Sequence, residues 1–221
     1  MNKFRISNSR ISMKNKSGTL FIIAAPSGAG KTSLIKSLTT EDNNIDVSIS
    51  YTTRQPRAEE KNGEAYNFIN ESEFKNLIKK NYFLEYAKVF GNYYGTPKDW
   101  VEQETLTGRN FILEIDWQGA LQVKSQLRNS VSIFILPPDY TTLRDRLISR
   151  QKDDAETIEQ RMNAACTEIS HYKDFDYIVI NDDFESALSD IKAIITTTNL
   201  GSCRQSAFYD DFVSQIMAQK D

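Results

Sequence analysis

The stretch from Thr19 to Thr39 limits the fold more than any other part of the chain. Thr19-Leu-Phe-Ile-Ile-Ala-Ala25 is a nearly continuous apolar run. That pattern suits a strand covered on both faces, as in a parallel sheet between helix layers. The loop Ala25-Pro-Ser-Gly-Ala-Gly-Lys-Thr-Ser33 follows, and Leu34, Ile35 and Leu38 then fall at helical spacing. Gly28 and Gly30 let the backbone curl so that successive N–H groups converge on one concavity. The concavity opens a helix N-terminus, which favours phosphate oxygens. Lys31 can neutralise β- and γ-phosphates, and the Thr32 hydroxyl suits Mg²⁺. Ala25, Pro26, Ser27, Gly28, Ala29, Gly30, Lys31, Thr32 and Ser33 are therefore the expected cradle of a nucleoside triphosphate. The strict motif begins with glycine, and here Ala25 holds that place.

Similar short strands recur at Phe111 to Asp116, Val131 to Leu136 and Tyr177 to Ile180, with helical stretches between them. Such alternation predicts a parallel sheet with crossover helices. Val47 to Ser50 reads as a further strand. Asp116 ends an apolar run, where a carboxylate beside a phosphate loop can join the Mg²⁺ shell. Residues 51–105 differ, being rich in Tyr, Phe, Asn and Gly. Alternation in Ala65 to Ile69 and Phe83 to Val89, with a turn at Gly91-Asn92, predicts small antiparallel strands inserted in the core. Asp139 to Arg161 is charged and predicts exposed helices joined near Gln151 to Ala155. Phe208, Phe212 and Ile216 lie four apart, predicting a terminal amphipathic helix that packs on the core.

Composition narrows the function. The 221 residues suit one α/β domain with insertions, and the net charge of −3 leaves no overall basic footprint for nucleic acid. The one histidine, His171, excludes a histidine-rich metal site and reads as a surface residue. Cys166 and Cys203 form no framework, which fits a reducing, cytoplasmic compartment. No apolar run approaches the ~20 residues of a membrane span. Residues 1–17 are basic and without acid. They read as a disordered extension, or as sequence upstream of a start at Met13, in preference to a transit peptide.

The acceptor side rests on Ser50-Tyr-Thr-Thr-Arg54-Gln-Pro-Arg57. Arginine forks bind phosphate bidentately, although arginines near a turn are also commonly solvated. Six segments in order then resemble guanylate kinase of the bacterial type. They are Ala25 to Ser33, Ser50 to Arg57, Gly63-Glu-Ala-Tyr-Asn-Phe68, Gly91-Asn-Tyr-Tyr-Gly-Thr96, Ile115-Asp-Trp-Gln-Gly119 and Asn181-Asp-Asp183. The resemblance covers about residues 18–218. It implies a three-layer α/β core with a phosphate loop and parallel sheet, a small mixed or antiparallel GMP-binding insertion, and a helical lid. The corresponding boundaries are 18–49, 106–138 and 161–221 for the core, 50–105 for the insertion and 139–160 for the lid.

The resemblance also implies ATP and GMP as substrates, with GMP or dGMP becoming the diphosphate, and Mg²⁺ as cofactor. Ser50, Arg54, Arg57, Tyr66 and Tyr94 would hold the GMP phosphate, and Glu85 and Thr96 the guanine, helped by Glu114. The family commonly has Asp where Glu114 stands. Asp116 would serve the acceptor and, with Thr32, the metal. Arg150 and Arg161 would face the transferring phosphate beside Lys31 and Arg54, with Arg146 toward the adenine or the phosphates and Asn181 near the adenine. The assignment is chemically coherent. A carboxylate accepts from both N1–H and N2–H of guanine, whereas adenine would set a lone pair against it. No general base is required, because a phosphate monoester with a second pKa near ~6 is already an anion. Another small kinase, or a scaffold domain that binds phosphopeptides without catalysis, is the alternative at this point. Self-association as a homo-oligomer stays open.

Overall fold

The computed structural model describes residues 18–58, 60–150 and 155–218. The predicted extension at 1–17 and most of the predicted connection, 151–154, lie outside them. The first strand, β1 (Thr19–Ala24), is buried at every position. Its pleat explains why an unbroken apolar run was needed. Phe21 and Ile23 enter one cluster with Leu34, Leu38, Ile191 and Ile195, while Leu20, Ile22 and Ala24 enter another with Val101, Leu113, Ala120 and Val123. Alternate residues thus serve opposite faces, and each fully buried side chain of this size contributes roughly 1.5–3 kcal/mol.

After the loop come α1 (Lys31–Glu41) and β2 (Ile45–Val47). The chain then leaves for a second sheet through β3 (Tyr51–Thr52), β4 (Asn67–Phe68), α2 (Glu71–Lys79), β5 (Phe83–Val89) and β6 (Asn92–Pro97). It returns through α3 (Lys98–Thr107), β7 (Asn110–Glu114), α4 (Trp117–Gln126) and β8 (Val131–Leu136). The remainder is α5 (Tyr140–Arg150), α6 (Ala155–Ser170), β9 (Tyr177–Ile180), α7 (Phe184–Leu200) and α8 (Ser202–Ala218).

The five-stranded sheet runs β2-β7-β1-β8-β9, parallel throughout. Helices α1 and α7 cover one face, and α3 and α4 the other, giving three layers. The smaller sheet runs β4-β3-β6-β5 and is mixed, since β3 and β4 are parallel. Its own core is aromatic: Phe74 of α2 stacks on Phe83 at 4.5 Å and on Tyr93 at 5.3 Å. Asn70 caps α2 in a reciprocal box, accepting from the Glu73 amide while Glu73 accepts from the Asn70 amide. Gln122 of α4 meets both backbone groups of Tyr86 on the outer strand β5, at 3.3 and 3.0 Å, and Gln126 donates to the Leu84 carbonyl.

Several expectations change. The strand expected at Val47 to Ser50 straddles the exit from the core: Val47 still pairs with β7, whereas 48–50 carry the chain to the second sheet. The hairpin loop is Phe90-Gly91, both with positive φ, and Asn92 already belongs to β6. Val101 and Trp100 of α3 pack with the core cluster, so the insertion drawn to residue 105 is shorter in structure and its sheet ends at Pro97. The boundary at 160/161 falls inside α6, which packs with α5 through Leu143, Leu147, Ile158, Met162 and Ala165. The terminal helix forms, but Phe212 and Ile216 face solvent. It is held instead at its start, where Arg204 bonds the Thr19 hydroxyl and the Asn129 carbonyl. The Phe208 side chain lies outside the description. His171, read as a surface residue, is half-buried and stacks on Trp117 at 3.5 Å.

Candidate active site

A cleft of about 900 Å³ lies between the phosphate loop and the small sheet. Gly28 and Gly30 have φ of 93° and 94°, which only glycine adopts without strain. At Gly30 a side chain would also strike the Asn181 amide. Ala25 is not among the residues with positive φ, so the missing first glycine costs the loop nothing there. Ala25, Pro26, Ser27, Gly28, Gly30, Lys31 and Thr32 line the cleft. Ala29 is buried behind it and accepts from Asn181 Nδ2 at 2.7 Å. Lys31 Nζ donates to the Ile115 carbonyl at 2.9 Å, which holds the ammonium at the cleft.

The two carboxylates near the end of β7 are arranged differently from expectation. Thr32 Oγ1 donates to Glu114 Oε1 at 2.6 Å, so Glu114 is the acid brought to the loop threonine. Burial first, and then the Glu114 charge, raise the pKa of Tyr66, which lines the same cleft. Asp116 accepts from the Gly119 amide at 2.8 Å and caps α4. Burial pushes the Asp116 carboxyl above its ordinary range, against that bond and Lys31.

The wall opposite the loop gathers Ser50, Arg54, Arg57, Tyr66, Glu85 and Tyr94 on the cleft. Arg54 lies 5.5 Å from the Tyr66 ring centre, and Tyr66 and Tyr94 meet edge to face at 5.9 Å. One residue here escaped the sequence reading. Glu60 pairs with Arg54 at 2.8 Å and accepts from the Arg57 amide at 2.7 Å. Its signal was present, an acid three and six residues beyond two arginines. Burial opposes the Arg54 charge, but Glu60, with Tyr94, outweighs it and holds its pKa above the usual value.

Glu85 and Thr96 face each other across the β5–β6 register. Thr96 Oγ1 donates to Glu85 Oε1 at 2.6 Å, and the Ser50 hydroxyl stands 3.5 Å from Thr96 Oγ1. Glu85 is only 3% exposed. Burial, with the nearby Asp116 charge, pushes its carboxyl up to about 7, against Thr96 and Lys31. Gly119 makes room for it, since a Cβ there would lie 2.5 Å from Glu85 Oε2.

Helix α6 adds Arg161 and Glu168 to the cleft. The Arg150 side chain lies outside the description. On the far side of the loop, a recess of about 280 Å³ is lined by Gly28, Gly30, Ser33, Arg146, Asn181 and neighbours. Arg146 Nη2 donates to the Asn181 carbonyl at 3.2 Å, while its buried Nη1 has no partner among the described residues. Glu168 also escaped the sequence reading; only the folded packing of α6 on the loop reveals it.

Comparison with known proteins places the sequence and the fold among proteins already described. The family model described as guanylate kinase matches residues 17–198. The chain is 48% identical over 203 residues to the guanylate kinase of Escherichia coli (strain K12), covering 91% of this chain and 98% of that one. It is 49% identical, with the same coverage, to the guanylate kinase of Shewanella violacea. The crystal structure of guanylate kinase from Anaplasma phagocytophilum superposes with a TM-score of 0.73 at 33% identity, covering 86% of this chain and 90% of that chain.

Proposed function

This chain belongs to the guanylate kinase family, and from that premise we propose how its residues divide the transfer of the ATP γ-phosphoryl group to GMP. The reaction gives ADP and GDP. The observation that carries the residue assignment is the buried Glu85–Thr96 pair in the wall of the same cleft that holds Lys31 and Arg54. Glu85 accepts from guanine N1–H and N2–H, and Thr96 turns its hydroxyl to O6. Arg54, Arg57, Ser50, Tyr66 and Tyr94 hold the GMP phosphate, with Glu60 giving way to it. Lys31 and the loop amides hold the ATP phosphates. Arg161 and Arg150 approach the transferring group, and Arg146 and Asn181 face the adenine side. Two anions must meet, so these residues work by positioning and charge neutralisation.

The donor set at Thr32 is a hydroxyl with the Glu114 carboxylate, and Asp116 lies beyond. Oxygen donors of this kind suit Mg²⁺. Thr32 and Asp116, the latter through water, with Glu114, would hold the ion. When bound, it neutralises phosphate oxygens as charge shifts between them.

The test is a panel of GMP, dGMP, AMP, UMP and ribose phosphates with coupled detection of ADP. Turnover with GMP is expected. Activity with AMP but not GMP would sink the assignment.

A further inference from the structure

Helix α6 presents two charged side chains to the cleft. Arg161 and Glu168 are separated by about two helical turns, share a face and lie roughly 10 Å apart along the axis. Both line the cleft, but Glu168 has no part in the mechanism above. Its Oε2 accepts from the Ser27 amide in the phosphate loop at 3.2 Å. The contact is built rather than incidental. Met162 and Ala165 pack α6 against Leu143 and Leu147 of α5. Those leucines press on the loop in turn: a Cβ on Gly28 would lie 3.0 Å from Leu143 Cδ1 and 3.2 Å from Leu147 Cδ2. Loop, α5 and α6 therefore pack together, and Glu168 adds a polar contact from α6 to the loop.

A carboxylate on a loop amide offers the same chemistry as a phosphate oxygen, an anionic acceptor in a concavity of N–H groups. Carboxylate and triphosphate carry like charge and cannot both settle there in comfort. Lys31 of α1 draws Glu168 toward the ionised form, and Asp116 before α4 pushes it away. Burial dominates and raises the carboxyl to about 7, so the group is only weakly committed to its charge.

We propose that Glu168 is a positioning residue that competes with the donor phosphates for the Ser27 amide, so that donor binding displaces it and frees α6, with Arg161, to move. The inference rests on reading Ala25 to Ser33 as the donor loop.

The test measures binding of a non-hydrolysable ATP analogue with Mg²⁺ by calorimetry to the full chain and to Glu168→Ala and Glu168→Gln, with GMP alone as control. If the carboxylate holds the amide about four fifths of the time, removing it tightens analogue binding about fivefold. Glu168→Gln keeps an acceptor without charge and should fall between the other two. GMP affinity should stay within about twofold. Hydrogen exchange at the loop amides before nucleotide is added should quicken in Glu168→Ala and less so in Glu168→Gln, a change that loss of helix packing alone would not order in this way. Analogue binding by Glu168→Ala at or below the strength of the full chain, with GMP binding retained, would overturn the proposal. Failure of the unaltered chain to bind the analogue would overturn the donor-loop reading and the inference with it.

Discussion

On the proposed assignment Glu85 sets function against stability, and the conflict can be measured. Its carboxyl is raised from 4.5 to about 7, chiefly by burial. At about 1.4 kcal/mol for each pH unit, ionising it in the fold costs about 3 kcal/mol. Between roughly pH 4.5 and 7 the folded protein keeps a proton that the unfolded chain has released. Stability from this group therefore falls as pH rises through that window and levels off above about 7. Glu85→Gln removes the titration but keeps an acceptor for Thr96. Urea unfolding without nucleotide should show the variant gaining on the unaltered chain by about 2–3 kcal/mol between roughly pH 5 and pH 8.5. The same substitution leaves one guanine donor facing an amide N–H, and KM for GMP should rise by roughly tenfold to a hundredfold. Parallel stability curves for the two proteins would show that Glu85 titrates as an ordinary carboxylate and would refute the reasoning.

Other expectations follow from single contacts. Lys31→Ala should lower kcat by about 10²–10³ with the melting temperature nearly unchanged, because the ammonium serves the phosphates rather than the core; steady-state kinetics and calorimetry check it. Arg54→Lys loses the planar fork beside Tyr66 and should raise KM for GMP about tenfold, with less effect on KM for ATP. Gly30→Ala must adopt a φ of 94° and meet Asn181, so it should lose about 1–3 kcal/mol of stability and most analogue binding, read by urea unfolding and titration.

The donor half was legible because its chemistry is local. A buried strand, two glycines and a lysine occupy consecutive positions, and the fold only had to preserve them. The acceptor half was legible as motifs, but its geometry was not. Register across β5 and β6 brings Glu85 to Thr96, and no spacing in the chain states that register. Glu114 and Asp116 show the limit most clearly. Glu114 ends β7 and Asp116 stands two residues on, yet one turns to Thr32 and the other caps α4. Glu60 and Glu168 escaped notice for a shared reason. Acids near arginines or on a charged helix are usually solvated; Glu60 is held by its local pairing with Arg54, and Glu168 is brought to the loop by the packing of α6. The terminal helix failed in the opposite sense, since periodicity identified the helix but not what would cover it.

The two glutamines of α4 have a consequence outside catalysis. Strand β5 is the outer member of the small sheet, and an outer strand offers unpaired N–H and C=O groups to any passing chain. Gln122 occupies both backbone groups of Tyr86, as a neighbouring strand would, and Gln126 takes the Leu84 carbonyl. Tyr86 itself is 42% exposed, so the edge they block carries an adhesive side chain. The strand that carries Glu85 is thereby closed to an added strand at Leu84 and Tyr86.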